Sequence, residues 1–204
     1  MGKVTDAYGH KSGAEAVEFY DEWADSYDEE LGSLGYVTPT RCAEALISVG
    51  ADPAQPILDI GCGTGVSGAA LQAAGFTAID GVDPSSEMLA RARAKNIYRS
   101  VAEIDPLAPL TAPKDAYANA MAAGVLSPGL APPEALDQIL EFLPRDGRLV
   151  FSLNDHAIKD GAHMGRLNDL IDGGWGYLEF KEYGAHIPGN DMKSYVYVLR
   201  KQYG

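Results

Sequence analysis

Residues 56–65 read Pro-Ile-Leu-Asp-Ile-Gly-Cys-Gly-Thr-Gly, and this stretch decides the fold. Its apolar first half is typical of a strand buried on both faces of a parallel sheet. Three glycines at alternate positions predict a tight turn, because a residue without a Cβ lets the backbone bend sharply and lets a ligand come close. The Ala-rich segment 66–74 predicts a helix whose first N–H groups would be free to meet that ligand. Asp59 would place a carboxylate at the strand end, where a ligand ammonium group could meet it.

A second carboxylate follows the next strand. That strand is predicted over 77–82 and ends at Asp83, twenty residues after Gly63. A carboxylate at this position can accept hydrogen bonds from both hydroxyl groups of a ribose. Its alternative role is to cap the following helix, for which Ser85 or Ser86 is also a candidate.

The remaining chain alternates between strands and helices. Further strands are predicted over 97–101, 116–122 and 148–153, followed by two antiparallel strands around Tyr177 and Tyr195. This order predicts an α/β fold: a Rossmann-like, doubly wound, mostly parallel seven-stranded sheet with helices on both faces. In such sheets the ligand binds beyond the carboxyl ends of the strands.

Two helices are predicted before the first strand. In residues 13–31, apolar and aromatic side chains recur every three or four positions, at Ala16, Tyr20, Trp23, Tyr27 and Leu31. This spacing puts them on one face of a helix. Pro39 suits the first turn of the second helix, and Gly50 follows its end.

Composition narrows the function classes. The chain has 204 residues, 46% of them hydrophobic, and a formal net charge of −13. That charge would repel a phosphate backbone, so we expect no nucleic-acid partner. No apolar run approaches the roughly 20 residues of a membrane span, and no signal sequence opens the chain, so we expect no membrane partner and a cytoplasmic location. Cys42 and Cys62 are too few for a disulfide framework and are typical of small core residues.

Three motifs together resemble the class I S-adenosylmethionine-dependent methyltransferases. They are Asp59-x-Gly61-x-Gly63-x-Gly65, then Gly-Val-Asp-Pro-Ser at 81–85 with Met88, and Arg-Asp-Gly-Arg-Leu-Val at 145–150. The resemblance covers about residues 15–153. The opening Tyr-Asp-Glu-Trp-Ala-Asp-Ser-Tyr-Asp at 20–28 is similar to a small-molecule-type subgroup that includes the Williams–Beuren region methyltransferase-like proteins.

The resemblance implies S-adenosylmethionine as cofactor, S-adenosylhomocysteine as product, and a role for each matching position. The turn residues Gly61, Cys62, Gly63 and Gly65 would wrap the methionine and ribose parts, Asp59 would hold the amino group, and Asp83 would bind the ribose. Pro84 and Met88 would lie beside the adenine. Glu103 and Ile104 would contact the adenine edge, although Ala102-Glu103-Ile104 departs from the family's Gly-Asp-Ala pattern. The carbonyl of Ala122 would meet the amino group, and Tyr27 and Tyr36 are lid candidates.

The same resemblance suggests a domain plan. We expect a single methyltransferase domain over 1–204, as a monomer or homodimer. It would consist of a helical lid over 13–50, a cofactor-binding core over 55–153, and a C-terminal helix with antiparallel strands over 154–204.

The expected reaction is an in-line displacement onto an N, O or S atom of a small molecule, with water excluded. His156, just after the fifth strand, is the candidate general base, with His186 and Tyr183 as further candidates. The family's metal-dependent members carry an acidic residue after the fourth strand. Residues 122–127 contain none, so we expect no catalytic metal.

Two alternatives remain open. A nicotinamide-dependent NAD(P) oxidoreductase is suggested by Gly63-x-Gly65-x-x-Gly68 and by Tyr177-x-x-x-Lys181. Against it, the first glycine of that fingerprint should directly follow the strand, Tyr177 lies in a strand-like stretch, and helices precede the first strand. The other alternative is a non-catalytic S-adenosylmethionine-binding module, since few polar groups follow the fourth strand.

Overall fold

The computed structural model describes residues 3–7 and 13–203. The helices are α1 (Lys3–Asp6), α2 (Ala14–Trp23), α3 (Tyr27–Leu34), α4 (Thr38–Ser48), α5 (Val66–Ala73), α6 (Ser86–Ala94), α7 (Ala135–Phe142), α8 (Asp155–Asp160) and α9 (Ala162–Asp172). The strands are β1 (Ile57–Ile60), β2 (Ile79–Asp83), β3 (Ser100–Glu103), β4 (Asn119–Ala122), β5 (Arg148–Asn154), β6 (Gly176–Ile187) and β7 (Met192–Lys201). Among these residues, no helix has the length and apolar character that crossing a membrane requires.

All seven strands form one sheet in the order β3-β2-β1-β4-β5-β7-β6. Strands β1 to β5 are mutually parallel, and β7 runs antiparallel to both of its neighbours, β5 and β6. The predicted Rossmann-like, mostly parallel α/β sheet is therefore confirmed. The predicted antiparallel pair in the tail is confirmed as well, with the turn at Pro188–Asn190 between its strands.

Alternate side chains of the central strands enter two different cores, as the two-residue period of a strand requires. Leu58 and Ile60 belong to the cluster that includes the apolar faces of α7 and α9. Ile57 belongs to the cluster that includes Leu46 of α4 and Leu71 of α5. Helices on both faces explain why β1, β4 and β5 read as apolar runs, since neither face of these strands meets water.

The N-terminal helix predicted over 13–31 is two helices. The N–H groups of Ala24 and Ser26 bond three residues back, to Asp21 and Trp23, so the chain tightens and turns between α2 and α3. The apolar and aromatic side chains predicted to share one face, which we call the aromatic stripe, remain in contact across this turn. Trp23 is buried, and its ring meets Tyr27 edge-on, with 4.7 Å between ring centroids.

Some strand boundaries and one helix also differ from the predictions. The third strand starts at Ser100, because Ile97 and Tyr98 pack into the core before the chain joins the sheet. Helix α8 was not predicted. Asn154 caps it by accepting a hydrogen bond from the N–H of Ala157 at 3.0 Å, and Gly161, with φ of 83°, separates it from α9.

Candidate active site

The glycine turn after β1 is shaped by close packing on one side and open space on the other. Gly61 has φ of 64°, and a Cβ there would collide with the side chain of Val125. Gly63 has φ of 52°, yet a Cβ there would meet no atom within 4 Å. Only glycine adopts both conformations without strain, and at Gly63 the backbone therefore faces free space that a ligand can enter.

Asp83 sits at the carboxyl end of β2 and is joined to this turn. One carboxylate oxygen accepts a hydrogen bond from the N–H of Gly63 at 2.8 Å, and the other accepts from the N–H of Ser85 at 2.9 Å. Burial raises the pKa of Asp83 to about 6, although these two hydrogen bonds oppose the rise. An ionised carboxylate has about four acceptor positions, so Asp83 retains capacity for two ribose hydroxyl groups.

Asp59 is fully buried behind the turn. Its Oδ2 atom accepts hydrogen bonds from the Ser67 hydroxyl at 2.6 Å and from the Tyr98 hydroxyl at 2.7 Å. Its Oδ1 atom has no hydrogen-bond partner among the described residues. Burial raises the pKa of Asp59 to about 7, against the lowering effect of the two hydroxyl groups.

A cavity of about 470 Å³ opens in front of the turn. Seven of the predicted site residues line it: Tyr27, Gly61, Gly63, Asp83, Pro84, Met88 and Ile104. Helix α2 closes one side, and loop residues 106–110 form an apolar wall together with Ala135 and Ile139 of α7. This volume lies within the usual range for small-molecule sites.

The other predicted residues of the turn and the strand ends do not line this cavity. Cys62 is buried, and its sulfur packs against Gly81, where a Cβ would come within 2.8 Å of it. Gly65 packs against the ring of Tyr98. Ala122 is fully buried at the end of β4, and the wall is formed by the residues that follow it, 123–126. Glu103 is exposed.

The candidates for acid–base chemistry lie outside the cavity wall. His156 is exposed on α8. His186 is buried, its Nδ1 atom lies 2.7 Å from the Thr38 hydroxyl, and burial lowers its pKa to about 4, so its ring is neutral at physiological pH. The Tyr183 hydroxyl donates to Asp155 at 2.7 Å. Tyr36, a lid candidate, does not line the cavity. Its hydroxyl packs against the loop after β4, because a Cβ added at Gly124 would lie 2.5 Å from it.

The sequence motifs give no role to the two remaining histidines, His163 and His10. His163 is a core residue of α9, and its Nε2 atom lies 2.9 Å from the carbonyl oxygen of Ala131. His10 lies outside the described residues.

Three acidic residues fasten the N-terminal helices to the site: Asp21 of α2, Asp25 in the turn after it, and Asp28 of α3. We call these three residues the lid clasp. Asp21 accepts hydrogen bonds from the Ser85 hydroxyl at 2.6 Å and from the N–H of Glu87 at 3.2 Å. Asp25 forms an ion pair with Arg91 of α6. Asp28 pairs with Lys95 at 2.6 Å and accepts from the hydroxyl of Thr64, inside the glycine turn.

The charges around the cavity are negative. Among the described residues that line it, only Asp83 and Asp105 are charged. No group of three or more His, Cys, Asp or Glu side chains in the described ranges is placed to hold a metal ion.

These features fit a ligand with a ribose and an ammonium group. Asp83 can accept the ribose hydroxyl groups, Gly63 leaves space for the ligand beside the backbone, and Oδ1 of Asp59 is a buried acceptor without a donor. Leaving such an oxygen unpaired is costly, so the site favours a ligand that brings a donor.

A family model of the methyltransferase domain matches residues 36–195. The chain belongs to the methyltransferase domain family. Human methyltransferase-like protein 27 is 33% identical to this methyltransferase domain over 140 residues, which is 67% of the chain and 57% of the human protein. The chain thus spans little more than half of that relative's length.

Solved structures share the architecture of the methyltransferase domain. The cyclase SpnF has a TM-score of 0.71 and 17% sequence identity, with 95% of this chain and 97% of that chain covered. An S-adenosylmethionine-dependent methyltransferase from Mesorhizobium loti has a TM-score of 0.59 and 20% identity, with 78% and 96% covered. At these identities the likeness concerns the fold alone. The family match shows a methyltransferase domain, and the fold agrees with the class I methyltransferases that the sequence motifs resemble.

The structure also weighs against the oxidoreductase alternative. Tyr177 and Lys181 lie on strand β6, whereas the corresponding dehydrogenase pair lies on a helix. The antiparallel β7 is inserted between β5 and β6, which differs from the 3-2-1-4-5-6 order of dinucleotide-binding sheets.

Proposed function

We propose that this methyltransferase domain catalyses transfer of a methyl group from S-adenosylmethionine to an N, O or S atom of a small-molecule acceptor. The observation that carries the proposal is the open glycine turn joined to Asp83 at the mouth of a cavity beneath the lid. The bound cofactor would supply an electrophilic methyl group on a sulfonium centre.

The residues of the chain would bind and orient the cofactor and exclude water. Asp83 would hold the ribose hydroxyl groups, and Asp59 would accept a hydrogen bond from the ammonium group. Pro84, Met88 and Ile104 supply the apolar contacts for the adenine. Tyr27 on α3 closes the cavity from the lid side, which limits water at the reacting atoms.

The cavity supports a small, uncharged or cationic acceptor. Its wall is apolar over loop residues 106–110 and at Ala135 and Ile139 of α7, and the charged side chains among its described lining residues are carboxylates. A phosphorylated or carboxylated acceptor would find no cationic partner in that lining, and the net charge of −13 opposes a nucleic acid. The cytoplasmic location and the monomeric or homodimeric state remain part of this proposal.

The mechanism needs no assigned base. Direct displacement requires the acceptor atom to be in line with the methyl group and the departing sulfur. A base is needed only where the acceptor keeps its proton until attack. His156 does not line the cavity in this structure, so we assign it no step.

The first experiment is calorimetric titration with S-adenosylmethionine, S-adenosylhomocysteine and NADH. We expect the two adenosyl ligands to bind and NADH to give no heat. The substitution Asp83→Asn keeps the shape of the side chain but removes its charge, and should weaken binding by more than about tenfold, roughly 1.4 kcal/mol.

An acceptor screen completes the test. Unchanged affinity of the Asp83→Asn variant would remove Asp83 from the ribose site, and binding of NADH alone would restore the oxidoreductase alternative. Cofactor binding without methyl transfer to any of a broad set of neutral and cationic small molecules would favour the non-catalytic module.

A further inference from the structure

A trio of side chains, two buried and one partly buried, lies behind the glycine turn. It consists of Asp59 on β1, Ser67 on α5 and Tyr98 in the segment between α6 and β3. None of the three lines the cavity, but Asp59 directly precedes Ile60 and Gly61, which do. Both hydroxyl groups reach the same carboxylate oxygen, Oδ2 of Asp59, at 2.6 and 2.7 Å. The sequence motifs assign no role to Ser67 or Tyr98.

The ring of Tyr98 is fixed by glycines on three sides. A Cβ at Gly65 would lie 3.2 Å from the ring, one at Gly81 would lie 3.0 Å from it, and one at Gly68 would collide with the hydroxyl group. The N–H of Gly68 donates to that hydroxyl at 3.1 Å. Because a phenol has one hydrogen to donate, the proton of Tyr98 is committed to Asp59.

The two oxygens of the Asp59 carboxylate have different surroundings. Oδ2 accepts two hydrogen bonds, whereas Oδ1 is buried without a partner among the described residues. Two strong bonds on one oxygen prevent the carboxylate from rotating, so Oδ1 keeps one position. A preorganised acceptor of this kind binds a donor without losing side-chain entropy at that moment.

We propose that Tyr98 is a positioning residue: together with Ser67 it holds Oδ2 of Asp59, so that Oδ1 stays available to the ammonium group of the cofactor's amino-acid part. This inference rests on the proposed function. It predicts that Tyr98 affects only the part of the ligand that carries the ammonium group, although Tyr98 itself does not line the cavity.

The test compares two ligands on the Tyr98→Phe variant. S-Adenosylhomocysteine has the amino-acid group, and 5′-methylthioadenosine keeps the nucleoside but lacks that group. Phenylalanine keeps the ring between the glycines and removes only the hydroxyl. We expect affinity for S-adenosylhomocysteine to fall by about tenfold, as for loss of a hydrogen bond to a charged group, and affinity for 5′-methylthioadenosine to change less than about twofold.

A pH series gives a second readout. The Tyr98 hydrogen bond lowers the pKa of Asp59 against the larger effect of burial. Its loss should therefore move the pH below which S-adenosylhomocysteine affinity falls to a higher value. The variant Ser67→Ala should show the same ligand selectivity, which keeps the test valid if Tyr98→Phe does not fold.

Tyr117→Phe is the matched control. The Tyr117 hydroxyl donates to another aspartate of the sheet, Asp80, at 3.1 Å, and Tyr117 does not line the cavity. This variant should bind both ligands as the wild type does. Equal losses for both ligands in Tyr98→Phe, or no loss for S-adenosylhomocysteine, would overturn the inference. Failure of the wild type to bind either ligand would instead contradict the proposed function.

Discussion

Asp59 and Asp83 are the buried carboxylates behind and beside the glycine turn. Burial raises the pKa of Asp59 to about 7 and that of Asp83 to about 6. A ligand with an ammonium group and ribose hydroxyl groups stabilises the ionised forms of both. If the proposed function is right, protonation and cofactor binding compete at these two side chains.

Cofactor affinity should depend on pH for this reason. We expect the affinity for S-adenosylhomocysteine to be highest near pH 8 and to fall as the pH drops through 7 to 6, because Asp59 and then Asp83 take up protons. Calorimetry in buffers of different ionisation enthalpy measures the affinity and the protons released on binding. A constant affinity between pH 5.5 and pH 8, with no proton release, would contradict the assignment.

At this scale the sequence identified the glycine turn and Asp83, because both belong to a contiguous motif with a physical reason for each residue. It could not identify Tyr98, which is 39 residues from Asp59 in the chain and has no local signal. Its position in an apolar stretch indicated a strand, and only the folded chain shows where its hydroxyl lies. Cys62 is the opposite case to Tyr98. It belongs to the glycine motif, but its side chain is buried in the core and does not line the cavity.

The lid clasp is the corresponding feature at the scale of elements. Asp21, Asp25 and Asp28 recur at spacings of four and three, and they meet the start of α6, Arg91 and Lys95. The spacing of the aromatic stripe was visible in the sequence. The charge pairing was not, because it joins segments more than sixty residues apart.

The substitution Lys95→Met should loosen the lid while keeping most of the side chain's apolar stem. Lys95 is 28% exposed and Asp28 is 46% exposed, and such pairs contribute about 0–1 kcal/mol. We therefore expect a loss of S-adenosylhomocysteine affinity below about fivefold and faster protease cleavage in residues 24–37. Salt should weaken wild-type binding more than that of the variant.

Arg99→Met is the control for the lid, since Arg99 pairs with Asp80 at 2.6 Å and has no contact with the clasp. It should leave both cleavage and affinity unchanged. The same cleavage rate in wild type and Lys95→Met would show that the aromatic stripe alone holds the lid.

At the scale of the whole molecule, the two raised pKa values affect stability with a definite sign. Unfolded aspartate has a pKa near 3.8, so between pH 4 and 7 Asp59 and Asp83 together bind more protons in the folded protein without ligand than in the unfolded chain. Stability from this source is complete below pH 4 and is lost as the pH rises through 6 to 7. Ligand affinity changes in the opposite direction.

Melting temperatures at pH 5.5 and pH 8 test whether ionisation of Asp59 reduces the stability of the folded protein. The variant Asp59→Asn cannot ionise at that position, so its melting temperature should fall less between the two values than that of the wild type. An equal fall in both proteins would show that Asp59 ionises in the folded state as it does in water.

The seven-stranded sheet was predictable because the alternation of apolar runs and helices extends over the whole chain. The cavity wall was harder to predict from the sequence. Its loop over 105–111 is rich in proline and follows no period, so the sequence assigned it no role. Helix α8 was missed because six residues are too few for a periodic signal.

The position of β7 also constrains how the chain folds during synthesis. Among the described strands, β6 pairs with β7 alone, and β7 lies between β5 and β6. The ribosome releases β6 first, so this twelve-residue strand has no partner until β7 has emerged, and β5 remains an unprotected edge for the same interval. A nascent chain stalled before residue 192 would expose both edges to aggregation or to a chaperone.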